Sequence, residues 1–235
     1  MAAKVGKTRV PVGRKVSQEA DADREQLPAR RQDGKILAPG TKGAATRQRL
    51  LDAARDLFER QGFGATSVAQ ISQLAEVSLG TYYQYFKDRS DVMAALVHSY
   101  VNDALNGGHV NWSGQGGKAL LVEMLTEYTK TYAEHAAFNQ VWEEVCQTEP
   151  ALASVRRELT RAIEGSVEAA LRNGEKAGHF PPVANPAATA RALCAMADRF
   201  CYLTYSFDPA KRPMPPVESG RFLADMWSRA IGLTD

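Results

Sequence analysis

The residues best suited to chemistry lie in one short segment, where hydrogen-bonding and aromatic side chains are closely spaced. Thr81, Tyr83 and Gln84 follow Ser78 within six positions. Ser78 is a good N-cap, so we expect a helix over residues 79–86. Hydroxyl, phenol and amide groups both donate and accept hydrogen bonds. Such groups on one exposed helix are suited to recognising a polar surface rather than to catalysis.

A second short helix is predicted just upstream. Ser67 and Gln70 have the spacing of a capping box, which predicts a helix start at about Val68. One apolar stripe follows, formed by Val68, Ile71, Leu74 and Ala75. Two short helices joined by a tight corner are the arrangement that places one helix in the major groove of DNA.

Within the second helix, the spacing separates an inward face from an outward one. Leu79, Tyr82 and Phe86 share a face and are expected to pack inward, whereas Tyr85 is expected to be free to reach outward, like Tyr83. The flanking sequence also predicts helices. Residues 46–61 are amphipathic and end at a C-cap glycine, and Asp88 begins a helix that extends to about residue 105.

Residues 46 to 101 resemble the DNA-binding domain of the TetR family of one-component bacterial transcriptional regulators. The resemblance rests on many residues at fixed spacing: Arg47-x-Arg-Leu-Leu-x-Ala-Ala-x-x-Leu-Phe, Gly62-Phe63 before Thr66-Ser67-Val68, Ile71-x-x-Leu-Ala-x-Val-Ser78, and Gly80-Thr81-x-Tyr83-x-Tyr85-Phe86-Lys87. Tyr82 replaces the usual leucine of the family, and Gln84 replaces an aromatic residue or histidine. These differences leave the fold intact but prevent any inference about the operator sequence.

The resemblance implies two groups of DNA contacts, since base contacts set sequence and phosphate contacts set register. The base edges would be read by Gly80, Thr81, Tyr83 and Gln84. The phosphates would be held by Thr66, Ser67, Tyr85 and Lys87. The alternative is a helical hairpin that only packs, but the density of hydrogen-bonding groups on the outer face favours DNA binding.

Composition limits the class of protein. The chain has 235 residues, of which 44% are hydrophobic and 24% charged, as in ordinary globular proteins. No apolar run is long enough to span a bilayer, and the N-terminus lacks a signal-peptide core. Cys146, Cys194 and Cys201 have no metal-ligand spacing, so we expect buried free thiols, with redox sensing as the alternative. These features indicate a cytoplasmic protein.

The charge is unevenly distributed. Residues 1–43 carry ten Lys or Arg and five Asp or Glu, a balance of +5, whereas the other 192 residues have a balance of −3. This basic segment has no sustained apolar period and is predicted to be disordered in the free protein. Two interpretations remain open: a solvated tail without function, or an arm that follows DNA phosphates or enters the minor groove.

Residues 89–235 are expected to form a larger helical domain. Helices are predicted at about 118–134, 138–147, 151–176, 186–206 and 217–232. The last two carry more apolar surface than one buried stripe needs, and in the TetR family the last two helices form a four-helix bundle across a two-fold axis. The expected dimer interface comprises Leu193, Met196, Leu203, Phe222, Met226 and Trp227. The alternative is that these residues fill a monomeric core.

Large side chains in this domain are candidates for a ligand pocket, because Tyr and Trp combine an apolar body with a polar group. They are Met124, Tyr128, Tyr132, Phe138, Trp142, Phe180 and Phe200. The pattern Leu223-x-x-Met226-Trp227-x-x-Ala230-Ile231 near the chain end is weakly similar to the ethionamide-resistance regulators, whose C-terminal domain encloses an apolar channel. This similarity implies an apolar effector. The four histidines are scattered, and no catalytic set, metal site or cofactor is predicted.

The sequence therefore predicts an all-α protein of three parts: a basic arm (1–43), a three-helix domain with a helix-turn-helix (44–88), and an effector-binding and dimerisation domain (89–235). We expect a homodimeric repressor that binds double-stranded DNA at a palindromic operator and is released by a small apolar effector. The alternatives are an effector-independent activator or architectural factor and, more remotely, a helical enzyme.

Overall fold

The computed structural model describes residues 31–106, 112–207 and 214–234, and the side chains of residues 101–106 are not described. The described parts contain nine α-helices, which we number in chain order. They are α1 (Lys42–Ala65), α2 (Val68–Leu74), α3 (Leu79–Tyr85), α4 (Arg89–Asn106), α5 (Gly117–Glu134), α6 (Ala136–Thr148), α7 (Pro150–Lys176), α8 (Pro186–Cys201) and α9 (Pro216–Ile231). This confirms the all-α prediction. None of the helices described is both long and apolar enough to cross a lipid bilayer.

The predicted starts of α2, α3 and α4 are confirmed. Ser67 accepts a hydrogen bond from the Gln70 backbone N–H, while the Gln70 side chain accepts one from the Ser67 N–H at 2.8 Å, which completes the capping box of α2. The Ser78 hydroxyl accepts from the Thr81 N–H at 3.1 Å and caps α3. Asp88 likewise accepts from the Asp91 N–H at 2.9 Å at the start of α4.

The core of the DNA-binding domain lies where α1, α2, α3 and α4 meet. Leu50, Phe58, Ile71, Tyr82 and Phe86 are almost completely buried there. This confirms that Tyr82 and Phe86 pack inward. Burial raises the pKa of the Tyr82 phenol well above its usual value, and the hydroxyl donates to the Asp88 carbonyl oxygen at 2.9 Å. The buried polar group is thus satisfied.

Two apolar residues of α2 and α3 are exposed. Leu74 is 46% exposed at the end of α2, and Leu79 is 49% exposed at the start of α3. Each helix has only seven residues, so one turn of each reaches the core, and Ile71 and Tyr82 fill that space. The predicted inward position of Leu79 is therefore wrong, and Leu74 is the exposed member of the apolar stripe predicted for α2.

The end of the basic segment is ordered against the first domain, contrary to the prediction for residues 1–43. Leu37 is 8% exposed and belongs to the core of this domain, and α1 begins at Lys42 rather than at residue 46. The burial of Leu37 contributes about 1.5–3 kcal/mol to the ordering of this segment. Residues 1–30, which carry most of the predicted arm, lie outside the described residues.

The second domain is organised around two helix pairs. α5 packs along α9, and α7 packs against α8, which continues into a π-helical turn at Tyr202–Phe207. Gly220 allows the close approach of α9 to α5, because a Cβ atom there would lie 2.4 Å from the Cα of Thr126. α6 lies between the domains: Phe138, Val141 and Val145 pack into the core that contains α1.

Candidate DNA-binding surface and effector cavity

The predicted base-reading residues of α3 differ in how far they are exposed to solvent. Tyr83 is 53% exposed, and its ring is held edge-on against the Tyr82 ring with centroids 5.5 Å apart. Gly80 and Gln84 are also exposed, whereas Thr81 is half-buried. The Thr81 hydroxyl lies 2.9 Å from the Ser78 hydroxyl, so it is already part of the helix cap.

The predicted phosphate-binding residues divide into two pairs. Ser67 and Lys87 are exposed, as a phosphate contact requires. Thr66 is only 1% exposed and donates its hydroxyl to the Gly62 carbonyl at 2.8 Å. Tyr85 is 6% exposed beneath the Arg31 guanidinium, which lies 5.7 Å from the centre of its ring. The expectation that Tyr85 reaches outward is therefore wrong, and the side chains of Thr66 and Tyr85 serve the fold.

The sequence analysis missed a contact between the chain upstream of α1 and the end of α3. The Gln32 backbone N–H donates to the Gln84 carbonyl at 2.8 Å, and the Gln32 amide donates to the Asp91 carboxylate at 3.0 Å. Arg31 donates to the side-chain oxygen of Gln84, also at 2.8 Å. Gln84 is thus oriented by Arg31 before any DNA is bound. No local pattern predicts this contact, because the partners are 53 positions apart.

One side chain connects the start of α4 to the helix-turn-helix. The Arg89 guanidinium donates to the carbonyl oxygens of Phe63, Gly64 and Thr66 at 2.7 to 3.1 Å and lies 4.7 Å from the centre of the Phe63 ring. These carbonyls belong to the end of α1 and the connection to α2. The first turn of α4 is therefore fastened to the domain that presents α3.

A cavity of about 390 Å³ lies between α4, α5, α6, α7, α8 and α9. This volume is within the range of small-molecule sites in proteins. Five of the seven predicted ligand-binding residues line it: Met124, Tyr128, Tyr132, Phe138 and Trp142. The structure therefore brings these five side chains together around one space.

The other two predicted ligand residues do not line this cavity. Phe180 is buried and stacks on Trp112 with ring centroids 6.1 Å apart. Phe200 packs against Phe222 on α9, with centroids 5.7 Å apart. Both aromatic rings contribute to helix packing, so their assignment to the pocket is wrong.

Polar residues in the cavity wall were also missed by the sequence analysis. Glu143 on α6 forms a hydrogen-bonded ion pair with Arg156 on α7, and the Arg156 guanidinium lies 3.9 Å from Asp198 on α8. Asn139, one turn before Glu143, is 7% exposed. The only available signal was the pair of polar residues four positions apart on an otherwise apolar face of α6.

The residues of the predicted dimer interface fall into an exposed group and a buried group. Leu203, Phe222 and Met226 are 40 to 46% exposed, the first on the π-helical extension of α8 and the other two on α9. Met196 is half-buried. Leu193 and Trp227 are 3% exposed inside the protomer, and Trp227 lines the cavity, so their assignment to the interface is wrong. The inward face of each helix carries residues of the same type as the outward face.

Comparison with known proteins supports the interpretation of the first domain. The family described as bacterial regulatory proteins, tetR family, matches residues 50–96. The HTH-type transcriptional regulator UidR of Escherichia coli strain K12 is 25% identical over 154 residues, covering 65% of this chain and 78% of UidR. The HTH-type transcriptional regulator AcrR of Shigella flexneri is 43% identical over 62 residues, covering 26% of this chain and 29% of AcrR.

The fold extends the similarity to the second domain. The structure of GusR from Salmonella enterica superposes with a TM-score of 0.70 at 22% identity, covering 83% of this chain and all of that one. These relatives are transcriptional regulators and not enzymes, so the helical-enzyme alternative has no support. Residues 50–96 of the chain thus match the tetR family of bacterial regulatory proteins, and the fold as a whole resembles that of GusR.

Proposed function

We propose that this chain is a repressor that binds a palindromic operator as a homodimer and is released by a small, mainly apolar effector. It would act in the bacterial cytoplasm, where its DNA target lies. The base contacts would come from Gly80, Thr81, Tyr83 and Gln84, and the phosphate contacts from Ser67 and Lys87. The observation that carries the proposal is that two helices of the cavity wall also contact the DNA-binding domain.

The first of these helices is α4. Arg89 at its start is bonded to three carbonyls of the DNA-binding domain, while Val97 and Tyr100, two to three turns later, line the cavity. A rigid helix transmits a displacement at one end to the other. An effector that displaces Tyr100 would therefore change the position of α3 relative to its partner in the dimer.

The second helix is α6. Phe138, Trp142 and Glu143 line the cavity, while Val141 and Val145 pack into the core that contains α1. Because protein interiors are close-packed, a shift of α6 on the cavity side must also change its packing against the core that contains α1. α4 and α6 together give the effector two mechanical routes to the DNA-binding surface.

The alternative is an effector-independent activator or architectural factor, which predicts a filled core in the second domain. The cavity of about 390 Å³ disfavours that alternative. An electrophoretic mobility shift with the DNA upstream of the protein's own gene, with and without a small-molecule library, separates the two. A compound that releases the DNA supports the repressor proposal. If the protein binds the DNA and no compound in the library releases it, the alternative is supported.

The DNA-binding surface is tested by changing Tyr83. We expect Tyr83→Ala to weaken specific DNA binding at least tenfold, or about 1.4 kcal/mol, because one good base contact contributes about 1–3 kcal/mol. Fluorescence anisotropy with labelled operator measures this affinity, and circular dichroism checks the fold. Tyr83→Phe is the matched control for loss of the hydroxyl alone. Unchanged affinity in Tyr83→Ala would rule out α3 as the reading helix.

A further inference from the structure

The polar part of the cavity wall contains more acidic than basic groups. Three carboxylates line it, those of Glu143, Glu164 and Asp198, but only one guanidinium, that of Arg156. Arg191 lies 3.4 Å from Glu164 and Arg199 lies 3.9 Å from Glu143, but both arginines are outside the lining, with side chains 75% and 58% exposed. Exposed cations are screened by water and offset the charge inside a cavity only weakly.

Arg156 cannot neutralise both of its neighbours. Its guanidinium is hydrogen-bonded to Glu143, whereas Asp198 lies 3.9 Å away, beyond hydrogen-bond distance. The side chain of Asp198 is 53% exposed, which places it at the edge of the cavity rather than at its base. Asp198 is therefore the least compensated carboxylate of the cavity, because Glu143 holds the Arg156 guanidinium and Glu164 pairs with Arg191.

The titration of the neighbouring groups indicates the same sign of potential. Burial raises the pKa of the Tyr132 phenol above its usual value. The pKa of the Cys194 thiol is raised to about 12, also mainly by burial. The charge of Asp198 contributes to both increases. Burial also raises the pKa of Tyr128, again with a contribution from Asp198. No basic group contributes a lowering effect at any of these three side chains. The charge of Asp198 therefore acts on side chains in the aromatic part of the cavity.

The aromatic part of the wall is suited to the same kind of ligand. Tyr100, Tyr128, Tyr132 and Trp142 line the cavity, and the Tyr128 and Tyr132 rings meet edge-on with centroids 5.9 Å apart. The face of an aromatic ring carries a partial negative charge and attracts cations, most strongly at Trp and Tyr. An anion in this cavity would face both carboxylates and ring faces.

We propose that the effector is an organic cation: an aromatic or alkyl body carrying an ammonium group, held between the carboxylate of Asp198 and the tyrosine rings of the cavity. This inference rests on the proposed effector function and adds a charge to the apolar ligand expected from the sequence. The ammonium group would lie at the edge of the cavity, and the body would contact the apolar wall formed by Leu125, Ile163 and Val167.

The test uses three probes with one aromatic body and different charges. They are (2-naphthylmethyl)trimethylammonium, whose charge is independent of pH, the neutral 2-naphthylmethanol and the anionic 2-naphthylacetate. Isothermal titration calorimetry with the full-length protein measures each dissociation constant. We expect the cation to bind about tenfold more tightly than the alcohol, equivalent to 1.4 kcal/mol, and the acetate to bind most weakly. An acetate or alcohol that binds as tightly as the cation overturns the proposal.

Two variants test the residues involved. Asp198→Asn keeps the side-chain shape and should remove most of the preference for the cation while leaving the alcohol unaffected. Tyr128→Leu should weaken the cation more than the alcohol. The matched control is Glu168→Gln, which removes an α7 carboxylate paired with Arg172 outside the cavity lining and should change nothing. Equal losses for cation and alcohol in both variants would indicate a structural role and refute the proposal.

A parallel measurement of operator release with the same probes separates this inference from the proposed function. If the cation binds preferentially but leaves the operator bound, the charge preference stands and the effector function fails. If the acetate or the alcohol binds best and releases the operator, the function stands and the charge preference is refuted.

Discussion

Lys87 is the clearest case in which a single exposed charge should determine a measurable property. Its ammonium group lies just beyond the end of α3 and is exposed. If it contacts a phosphate, Lys87→Gln should weaken binding to all DNA sequences alike. The plot of log affinity against log salt should become less steep by about 0.9 per lysine, or nearly two units for a dimer. Anisotropy titrations at several salt concentrations measure this slope.

The control for Lys87→Gln is Lys176→Gln, in the last turn of α7 and far along the chain from α3. It removes the same charge, so a general effect of net charge would appear in both variants. If both variants changed the slope equally, or if Lys87→Gln left it unchanged, the assigned phosphate contact would be wrong.

The chemistry of a residue predicts what it can do, but not whether it is exposed. Tyr83 and Tyr85 are identical side chains two positions apart, and only Tyr83 is free. Tyr85 is covered by Arg31, which no periodicity argument places there. The same limit applies to Glu143, Arg156 and Asp198, whose proximity depends on how three helices pack.

At the scale of helices, Gly174 marks a point where α7 tolerates no side chain. A Cβ atom there would lie 2.3 Å from the Phe180 ring and 2.8 Å from the Gly114 carbonyl oxygen. We expect Gly174→Ala to lower the free energy of unfolding by about 1–3 kcal/mol, because the core would be overpacked. Urea denaturation followed by circular dichroism measures the change.

Gly165 on the same helix is the matched control. Nothing lies within 4 Å of a Cβ atom at that position. Gly165→Ala should therefore raise the free energy of unfolding by about 0.5–1 kcal/mol, since alanine is the better helix former. If the two alanine variants changed stability in the same direction, the packing of α7 against Phe180 would not be as described.

The helices themselves were largely predictable, because caps and apolar periodicity are local signals. Ser67, Ser78 and Asp88 began their helices as expected, and α8 began at Pro186 after its asparagine cap. The segment before α1 was not predictable in this way. Its order depends on Leu37 and on contacts with α3 and Asp91, more than forty positions away in sequence.

At the scale of the whole molecule, the proposed dimer depends on the exposed apolar residues of α9 and of the π-helical turn after α8. Phe222→Glu should raise the dimer dissociation constant about 30-fold, or 2 kcal/mol, if Phe222 is a central interface residue. Sedimentation velocity at several protein concentrations measures this dissociation constant. The control Leu74→Glu places the same charge on an exposed leucine of α2 and should leave the dimer intact. A Phe222→Glu protein that remains fully dimeric would place the interface elsewhere.

The proposed repression also makes a quantitative demand on the two sites together. If a ligand of the cavity weakens operator binding tenfold, the coupling free energy is about 1.4 kcal/mol, and the operator must weaken that ligand by the same factor. Calorimetric titration of the ligand into free and operator-bound protein measures one side of this cycle, and anisotropy measures the other. The route through α6 adds a further expectation: Val145→Ala, which loosens the contact with α1, should reduce the coupling while leaving ligand affinity in the free protein nearly unchanged. A ligand that binds tightly and leaves operator affinity unaltered would contradict the coupling, because a ligand with equal affinity for two states does not shift the equilibrium between them.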